Sequence, residues 1–167
     1  DLISLKLNST SASSERIDNV NVYRVGGSKI FYPVAAYLKA RALNKQNNYA
    51  LVWSMMAAYA GFAGLFFKTS SPKTPFLLTL QEGDPEAHIL KRVGMFKPLW
   101  LQIFKQADYV QAISKYLAEF AQKWGAKCEV GVVPNGVDIE RFGEVNGARE
   151  AARKEMGVND TDVVLIH

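Results

Sequence analysis

The sequence predicts an α/β fold in which a parallel, doubly wound sheet is flanked by helices. Two observations support this fold: short apolar runs typical of strands alternate with longer helical segments, and the joints between them are short. With 49% apolar residues among 167, the chain can bury one substantial core. Its 22% charged residues are typical of a folded protein.

Six runs rich in β-branched and apolar residues are the predicted strands. They cover residues 2–7, 20–25, 50–54, 76–81, 108–113 and 129–133. Helices are predicted at about 33–44, 55–68, 84–105 and 115–124. Because a helix fits between most successive strands, the alternation favours a parallel sheet over an antiparallel one.

Local residues mark where several helices begin and end. Pro33 suits a first helical turn, and Asp84 followed by Pro85 predicts an N-cap with proline at the first helical position. Gly94 and Pro98 are expected to break or kink the helix that starts there. The segment 84–105 is therefore expected to hold more than one straight helix.

The helix at 115–124 carries a signal at each end. Ser114 is a predicted N-cap, and Gly125 is the predicted residue that ends the helix in a left-handed conformation. A functional alternative for Ser114 is contact with phosphate, because a helix N-terminus that faces a cleft can bind anions.

Residues 49–67 carry no charge, and this run is long enough to nominate a transmembrane helix. The favoured interpretation divides the run into a strand at 50–54 and a helix at 55–68, because strands of parallel sheets are buried on both faces. Small residues would let this helix lie close to the sheet; they are Ala57, Ala58, Ala60, Gly61, Ala63 and Gly64.

The net charge and the cysteine content bear on which partners the protein can bind and on the cellular compartment in which it is expected. The net charge of +4 and the pI of about 9.1 suit an anionic partner such as a membrane surface or phosphate groups, and equally suit simple solubility. The single cysteine, Cys128, excludes an internal disulfide and Cys-based zinc sites. Residues 1–19 show no signal-peptide pattern, so the cytoplasm is the expected location, with the inner face of the membrane as an alternative.

A compact turn motif follows the last predicted strand. Pro134 ends that strand, because it cannot donate a hydrogen bond to a sheet. Asn135 and Gly136 allow a tight turn, and Asp138 can cap the short helical turn that follows. An ordinary connection between a strand and a helix explains the same residues.

Residues 107–142 resemble the family-4 glycosyltransferases of the GT-B class. In that family a strand ending in Ser opens a helix, and the next strand leads to a P-N-G-V-D-x-x-x-F signature, which appears here as PNGVDIERF at 134–142. Upstream, PFLLTLQEGD at 75–84 resembles an apolar strand and turn of the family, and VNVYRV at 20–25 resembles an earlier strand. The resemblance covers residues 18–167 in the same order and spacing.

The resemblance implies two Rossmann-like domains that face a cleft and move a sugar from a nucleotide-sugar donor to an acceptor, with retention of configuration and without a cofactor or metal. Residues 1–145 would be the N-terminal, acceptor-side domain without its first strand. Residues 146–167 would be the linker and the truncated start of the donor-binding domain, with a strand at 162–166. The two glutamates that the family places eight positions apart have no counterpart here, so this segment alone is expected to be inactive.

Candidate acceptor and cleft residues lie where predicted strands end, since open α/β sheets bind ligands at the carboxyl ends of their strands. Together with the resemblance, this gives Ser54, Gln81, Glu82, Gly83, Asp84, Ser114, Asn135, Gly136 and Asp138. Many family members have His at the position of Gln81, which can donate and accept hydrogen bonds but cannot titrate near neutral pH. The alternative for Asp84 is a helix cap. His88 is expected to be a solvated surface residue, and no catalytic residue is assigned.

Residues 88–105 mix basic residues with large apolar ones, and this composition bears on whether the protein contacts a membrane. Such a helix can anchor a protein at a membrane interface. The favoured alternative is a helix that faces the core and keeps its lysines in water. The residues concerned are Lys91, Arg92, Phe96, Lys97, Trp100, Leu101, Phe104 and Lys105.

Two functions of different class stay open. The first is glycosyl transfer, with a nucleotide-sugar donor and a carbohydrate or lipid-linked acceptor. The second is a non-catalytic, Rossmann-like binding module or membrane-peripheral module, because one fold hosts many functions. Nucleic acid is not an expected partner, since the basic residues are spread along the chain and no nucleic-acid motif is present.

Overall fold

The computed structural model describes residues 1–143 and 147–165. They divide into two compact units, Asp1–Pro134 and Asn135–His167, each of which is described by itself. The boundary that the sequence predicts between residues 145 and 146 lies outside the described residues.

Strands and helices alternate along the first unit. Its strands are β1 (Leu2–Leu5), β2 (Ser14–Ile17), β3 (Val20–Val25), β4 (Val52–Met55), β5 (Phe76–Leu80), β6 (Tyr109–Ala112) and β7 (Glu129–Val132). Its helices are α1 (Tyr32–Asn47), α2 (Tyr59–Ser70), α3 (Glu86–Val93), α4 (Lys97–Gln106) and α5 (Lys115–Lys123). A short 3-10 helix at Gly94–Phe96 joins α3 to α4.

The strands form two sheets. A parallel sheet of four strands, in the order β4-β5-β6-β7, is flanked by helices and confirms the predicted α/β fold. The second sheet has the order β1-β3-β2, with β1 parallel and β2 antiparallel to β3. The sequence predicted one sheet and missed β2, because all four residues of β2 are exposed and carry no apolar pattern. Its hydrogen bonds to β3, and not burial, hold this strand.

The main core lies between the four-stranded sheet and α2, α4 and α5. Phe76, Leu78 and Leu80 of β5 are fully buried, as is Val110 of β6. The helices contribute an aromatic cluster of edge-to-face pairs, in which the rings of Trp100 and Phe104 are 4.9 Å apart. This cluster, with Phe120 and Trp124, fixes α4 and α5 against each other.

The uncharged run at 49–67 contains a strand and a helix, as predicted. β4 occupies its first part and α2 most of the remainder. Across the residues that the structure describes, no helix combines the length and apolar character needed to span a bilayer. The small residues in α2 allow the close approach that the sequence indicated: a Cβ atom at Gly64 would lie 2.6 Å from Cε2 of Phe76 and against Oγ of Ser54.

The helix signals were mostly correct. The 84–105 segment breaks at Gly94, which has a φ of 49°, while Pro98 lies in the first turn of α4 and does not interrupt it. Ser114 caps α5, since its Oγ accepts a hydrogen bond from the Leu117 N–H at 3.2 Å. Gly125 follows α5 with a φ of 107°. The predicted N-cap at Asp84 is wrong: the N-cap of α3 is Pro85, and Asp84 forms an ion pair with Arg92.

The second unit contains α6 (Ile139–Phe142) and α7 (Ala148–Glu155). Asp138 caps α6 as predicted, because its Oδ1 accepts hydrogen bonds from the N–H groups of Glu140 and Arg141, both at 3.1 Å. The strand predicted at 162–166 is absent from its described part, 162–165, whereas Ile166 lies outside the described residues. In this stretch Val163 and Leu165 are exposed, so burial does not stabilise an extended strand.

Gly64 provides a test of the packing between α2 and the sheet. Gly64→Ala should lower the free energy of unfolding by about 1–3 kcal/mol, the usual cost of overpacking a core. Urea denaturation measures this change. The control is Gly26→Ala, because a Cβ atom at Gly26 meets nothing within 4 Å. Equal unfolding midpoints for the two variants would contradict the close approach.

Candidate functional site

The carboxyl ends of three parallel strands meet at one edge of the four-stranded sheet. Met55 of β4 pairs in register with Thr79 of β5, and Leu80 of β5 pairs with Ala112 of β6. The residues that follow these strands therefore lie along the same edge. This is where open α/β sheets bind their ligands.

The turn after β4 is held in an unusual backbone conformation. Met56 has a φ of 69°, in the left-handed region that side chains other than glycine rarely adopt. Its N–H donates a hydrogen bond to the carbonyl oxygen of Thr79 at 2.7 Å. The next residue, Ala57, donates its N–H to Oε1 of Glu82, and its carbonyl oxygen accepts from Nε1 of Trp100 at 2.7 Å. Ala57 thus links the end of β5 to the buried face of α4.

Glu82 has two carboxylate oxygens in different environments. Oε1 accepts the Ala57 N–H, while Oε2 is buried and has no hydrogen-bond partner among the described residues. Burial raises the pKa of this carboxyl group, against the opposing effects of backbone hydrogen bonds and the positive charge of Arg92. Oε2 is therefore a buried acceptor whose hydrogen-bonding capacity is unused among the described residues.

A cavity of about 460 Å³ opens beside Glu82. Its wall is mostly apolar and comes from the loop before α1, from α1 to α5 and from the 3-10 helix. Among the lining residues, Glu82 and Arg92 carry charge. Apolar lining residues include Ile30, Val34, Phe62, Phe96, Trp100 and Phe120. An apolar cavity with a few polar groups converging on it is typical of small-molecule sites.

The structure places the candidate residues of β4 and β5 in different surroundings. Ser54 is 5% exposed, and its Oγ donates to the carbonyl oxygen of Ala60 at 3.0 Å, so it stabilises α2 and does not line the cavity. Gln81 and Gly83 flank Glu82 in the loop after β5. Asp84 lies 2.8 Å from the Arg92 guanidinium, and it holds this cation at the cavity wall.

The other candidates are turn and cap residues. Ser114 follows β6 at the same sheet edge, where its hydroxyl is engaged in capping α5. Asn135, Gly136 and Asp138 belong to the second unit, in which Asn135 and Gly136 are exposed residues without regular secondary structure. The predicted role of these four residues in a cleft stays a prediction. His88 is exposed, as the sequence predicted.

Sequence reasoning missed two features of the site. It named Arg92 only among the basic residues of 88–105 and did not predict the left-handed conformation of Met56. No local signal marks Met56, because glycine is the usual residue at such a turn. Arg92 lies near the end of α3, whereas Asp84 precedes that helix, so their spacing of eight positions is not a helical charge-pair signal.

Comparisons with known proteins agree with this architecture. The family model described as Glycosyltransferase Family 4 matches residues 3–141. Among solved structures, a sucrose-phosphate synthase chain from Thermosynechococcus elongatus has a similar fold, with a TM-score of 0.58 and 15% sequence identity over 93% of this chain and 80% of that chain. At this identity the similarity establishes the fold alone. No curated protein sequence matches the chain.

The raised pKa of Glu82 predicts a specific dependence of stability on pH. As pH rises above 4.5, the usual pKa, the unfolded chain releases this proton before the folded chain does. Glu82 therefore lowers stability progressively from pH 4.5 up to its raised pKa, and the loss persists above that pKa. Glu82→Gln keeps the acceptor for Ala57 and removes the charge, so its stability relative to the wild type should increase across this window.

Chemical denaturation at several pH values measures this difference. The matched control is Glu119→Gln on the exposed side of α5. Curves of unfolding free energy against pH that run parallel for wild type and Glu82→Gln would show that Glu82 is not desolvated in the folded protein.

Proposed function

The chain belongs to Glycosyltransferase Family 4, and we propose that it forms the acceptor side of an enzyme that moves a sugar from a nucleotide-sugar donor to an acceptor hydroxyl. The cavity beside Glu82 is the proposed acceptor site. The observation that carries this assignment is the buried, unpaired Oε2 of Glu82 at the carboxyl end of β5.

An acceptor hydroxyl has the chemistry that this site requires. A hydroxyl donates one hydrogen bond, which Oε2 of Glu82 can accept, while its oxygen keeps lone pairs for attack. The apolar wall holds the neighbouring part of the acceptor and excludes water. Because Asp84 fixes Arg92 at the wall, a second polar group of the acceptor can be oriented there.

In the proposed reaction, the acceptor oxygen forms a bond to the anomeric carbon of the donor sugar. The bond between that carbon and the donor phosphate breaks, the nucleoside diphosphate leaves, and the hydroxyl proton is released. Family resemblance supports retention of configuration and the absence of a required metal, and it assigns the nucleotide to a second domain. Glu82 is a binding residue in this scheme, since its hydrogen bond orients the attacking hydroxyl.

Glu82→Gln tests this role in a transfer assay with the full-length protein and a panel of nucleotide sugars. Loss of a hydrogen bond to a charged acceptor costs about 1.5–3 kcal/mol, so kcat/KM for the acceptor should fall by about 10- to 150-fold. The fall should come mainly from a higher KM. In the wild type, kcat/KM should rise with pH through the raised pKa of Glu82, and the variant should lack this limb.

Glu119→Gln is the control, and it should leave both kinetic constants unchanged. Unchanged acceptor kinetics in Glu82→Gln would remove Glu82 from the acceptor site. Acceptor binding without transfer from any nucleotide sugar would instead favour the non-catalytic binding module.

A further inference from the structure

Large apolar side chains are exposed at the cavity beside Glu82 and next to its lining residues in the chain. Four of them line the cavity, and Phe31 and Met95 are chain neighbours of lining residues. They come from two separate segments, the loop and first turn of α1 and the 3-10 helix with the first turn of α4. We call this set the apolar rim: Ile30 (76% exposed), Phe31 (69%), Val34 (49%), Met95 (87%), Phe96 (62%) and Leu99 (39%).

The apolar rim is one surface and not two unrelated patches. Ile30 and Val34 from the first segment line the same cavity as Phe96 and Leu99 from the second. The two segments therefore flank a single opening. Exposed apolar surface of this kind, set around a cavity, marks a docking site more often than a solvated face.

Exposed cations border the apolar rim. Lys29 precedes Ile30, and Lys97 follows Phe96. Lys91 lies one turn before the 3-10 helix on α3. The ammonium group of Lys97 also lies 4.7 Å from the centre of the Trp124 ring. Lysines beside protruding aromatic and aliphatic side chains fit an anionic membrane surface, because the lysines meet lipid headgroups while the apolar side chains enter the acyl boundary.

The cavity behind the apolar rim suits the same partner. Its lining is mostly apolar and includes the carboxylate-bearing Glu82. A lipid combines the same chemistry, because its apolar chains stay near the membrane and its polar headgroup carries hydroxyls. We propose that the apolar rim docks on an anionic bilayer and that the acceptor is lipid-borne, its hydroxyl reaching Glu82 from the membrane. This inference rests on the proposed function and names the acceptor class.

Vesicle flotation of the full-length protein tests the docking without depending on transfer. The protein should float with vesicles of phosphatidylcholine and phosphatidylglycerol and much less with phosphatidylcholine alone. Met95→Asp with Phe96→Asp should reduce the bound fraction about tenfold or more, because two inserted apolar side chains become charged. Lys29→Gln with Lys91→Gln should reduce it about tenfold, and added salt should have a similar effect.

Matched controls separate the apolar rim from general changes in charge or hydrophobicity. Val163→Asp changes a side chain as exposed as Met95, at 87%, and should leave binding unchanged. Lys115→Gln with Lys127→Gln removes two exposed cations outside the apolar rim and should also leave it unchanged. Ile30→Asp offers an independent change in the first segment and should weaken binding like the change at Met95 and Phe96.

Three results would overturn the inference. One is equal flotation of the rim variants and their controls. Another is transfer to water-soluble acceptors without flotation on either vesicle, which would leave the proposed function intact. The third is a lipid-free dimer in sedimentation that Met95→Asp dissociates, because a second copy of the chain would then cover the apolar rim. If the protein floats as expected but transfers no sugar to any acceptor, the proposed function fails and the membrane contact stands.

Discussion

The backbone of Ala57 is the junction on which the site depends. Its N–H is held by Glu82 at the end of β5, and its carbonyl oxygen is held by the fully buried indole of Trp100 on α4. Neither bond is optional, since an unpaired buried backbone group costs about 1–3 kcal/mol. The aromatic cluster around Trp100 therefore positions the turn after β4, and that turn fixes the orientation of the Glu82 carboxylate.

Close packing of α2 on the sheet is what brings Ala57 to this position. Gly64 lets the helix backbone approach Phe76, and the Ser54 hydroxyl bonds to the carbonyl oxygen of Ala60 near the start of the same helix. Ser54 of β4 thus makes a structural contact, and its predicted role in the cleft stays a prediction. The same contacts that stabilise the core also limit how far the cavity can deform, because densely packed interiors transmit strain.

The features that could be predicted from the sequence were contacts between chain neighbours and recurring patterns of apolar residues. Ser114 and Asp138 each cap a backbone group within three residues, so their roles follow from chain neighbours alone. The four strands of the parallel sheet were predicted from short runs rich in β-branched and apolar residues that alternate with helices. The β2 strand, the left-handed Met56 and the pairing of Asp84 with Arg92 depend on contacts made only in the folded chain. The cavity could not be predicted from the sequence either, because residues from several separate segments line it.

Glu82 and the apolar rim are both unfavourable for a domain in water alone. A desolvated carboxylate oxygen without a donor lowers stability, and exposed Phe31, Met95 and Phe96 invite association. Glu82 and Phe96 line the same cavity, so a single ligand with a hydroxyl and an adjoining apolar part would contact both. Their shared position is informative. A desolvated carboxylate alone or an exposed apolar patch alone has many structural explanations, whereas the two at one cavity have few. Perturbed carboxylates in clefts are candidate functional groups for this reason. The free energy released when the ligand satisfies both would then contribute to acceptor binding.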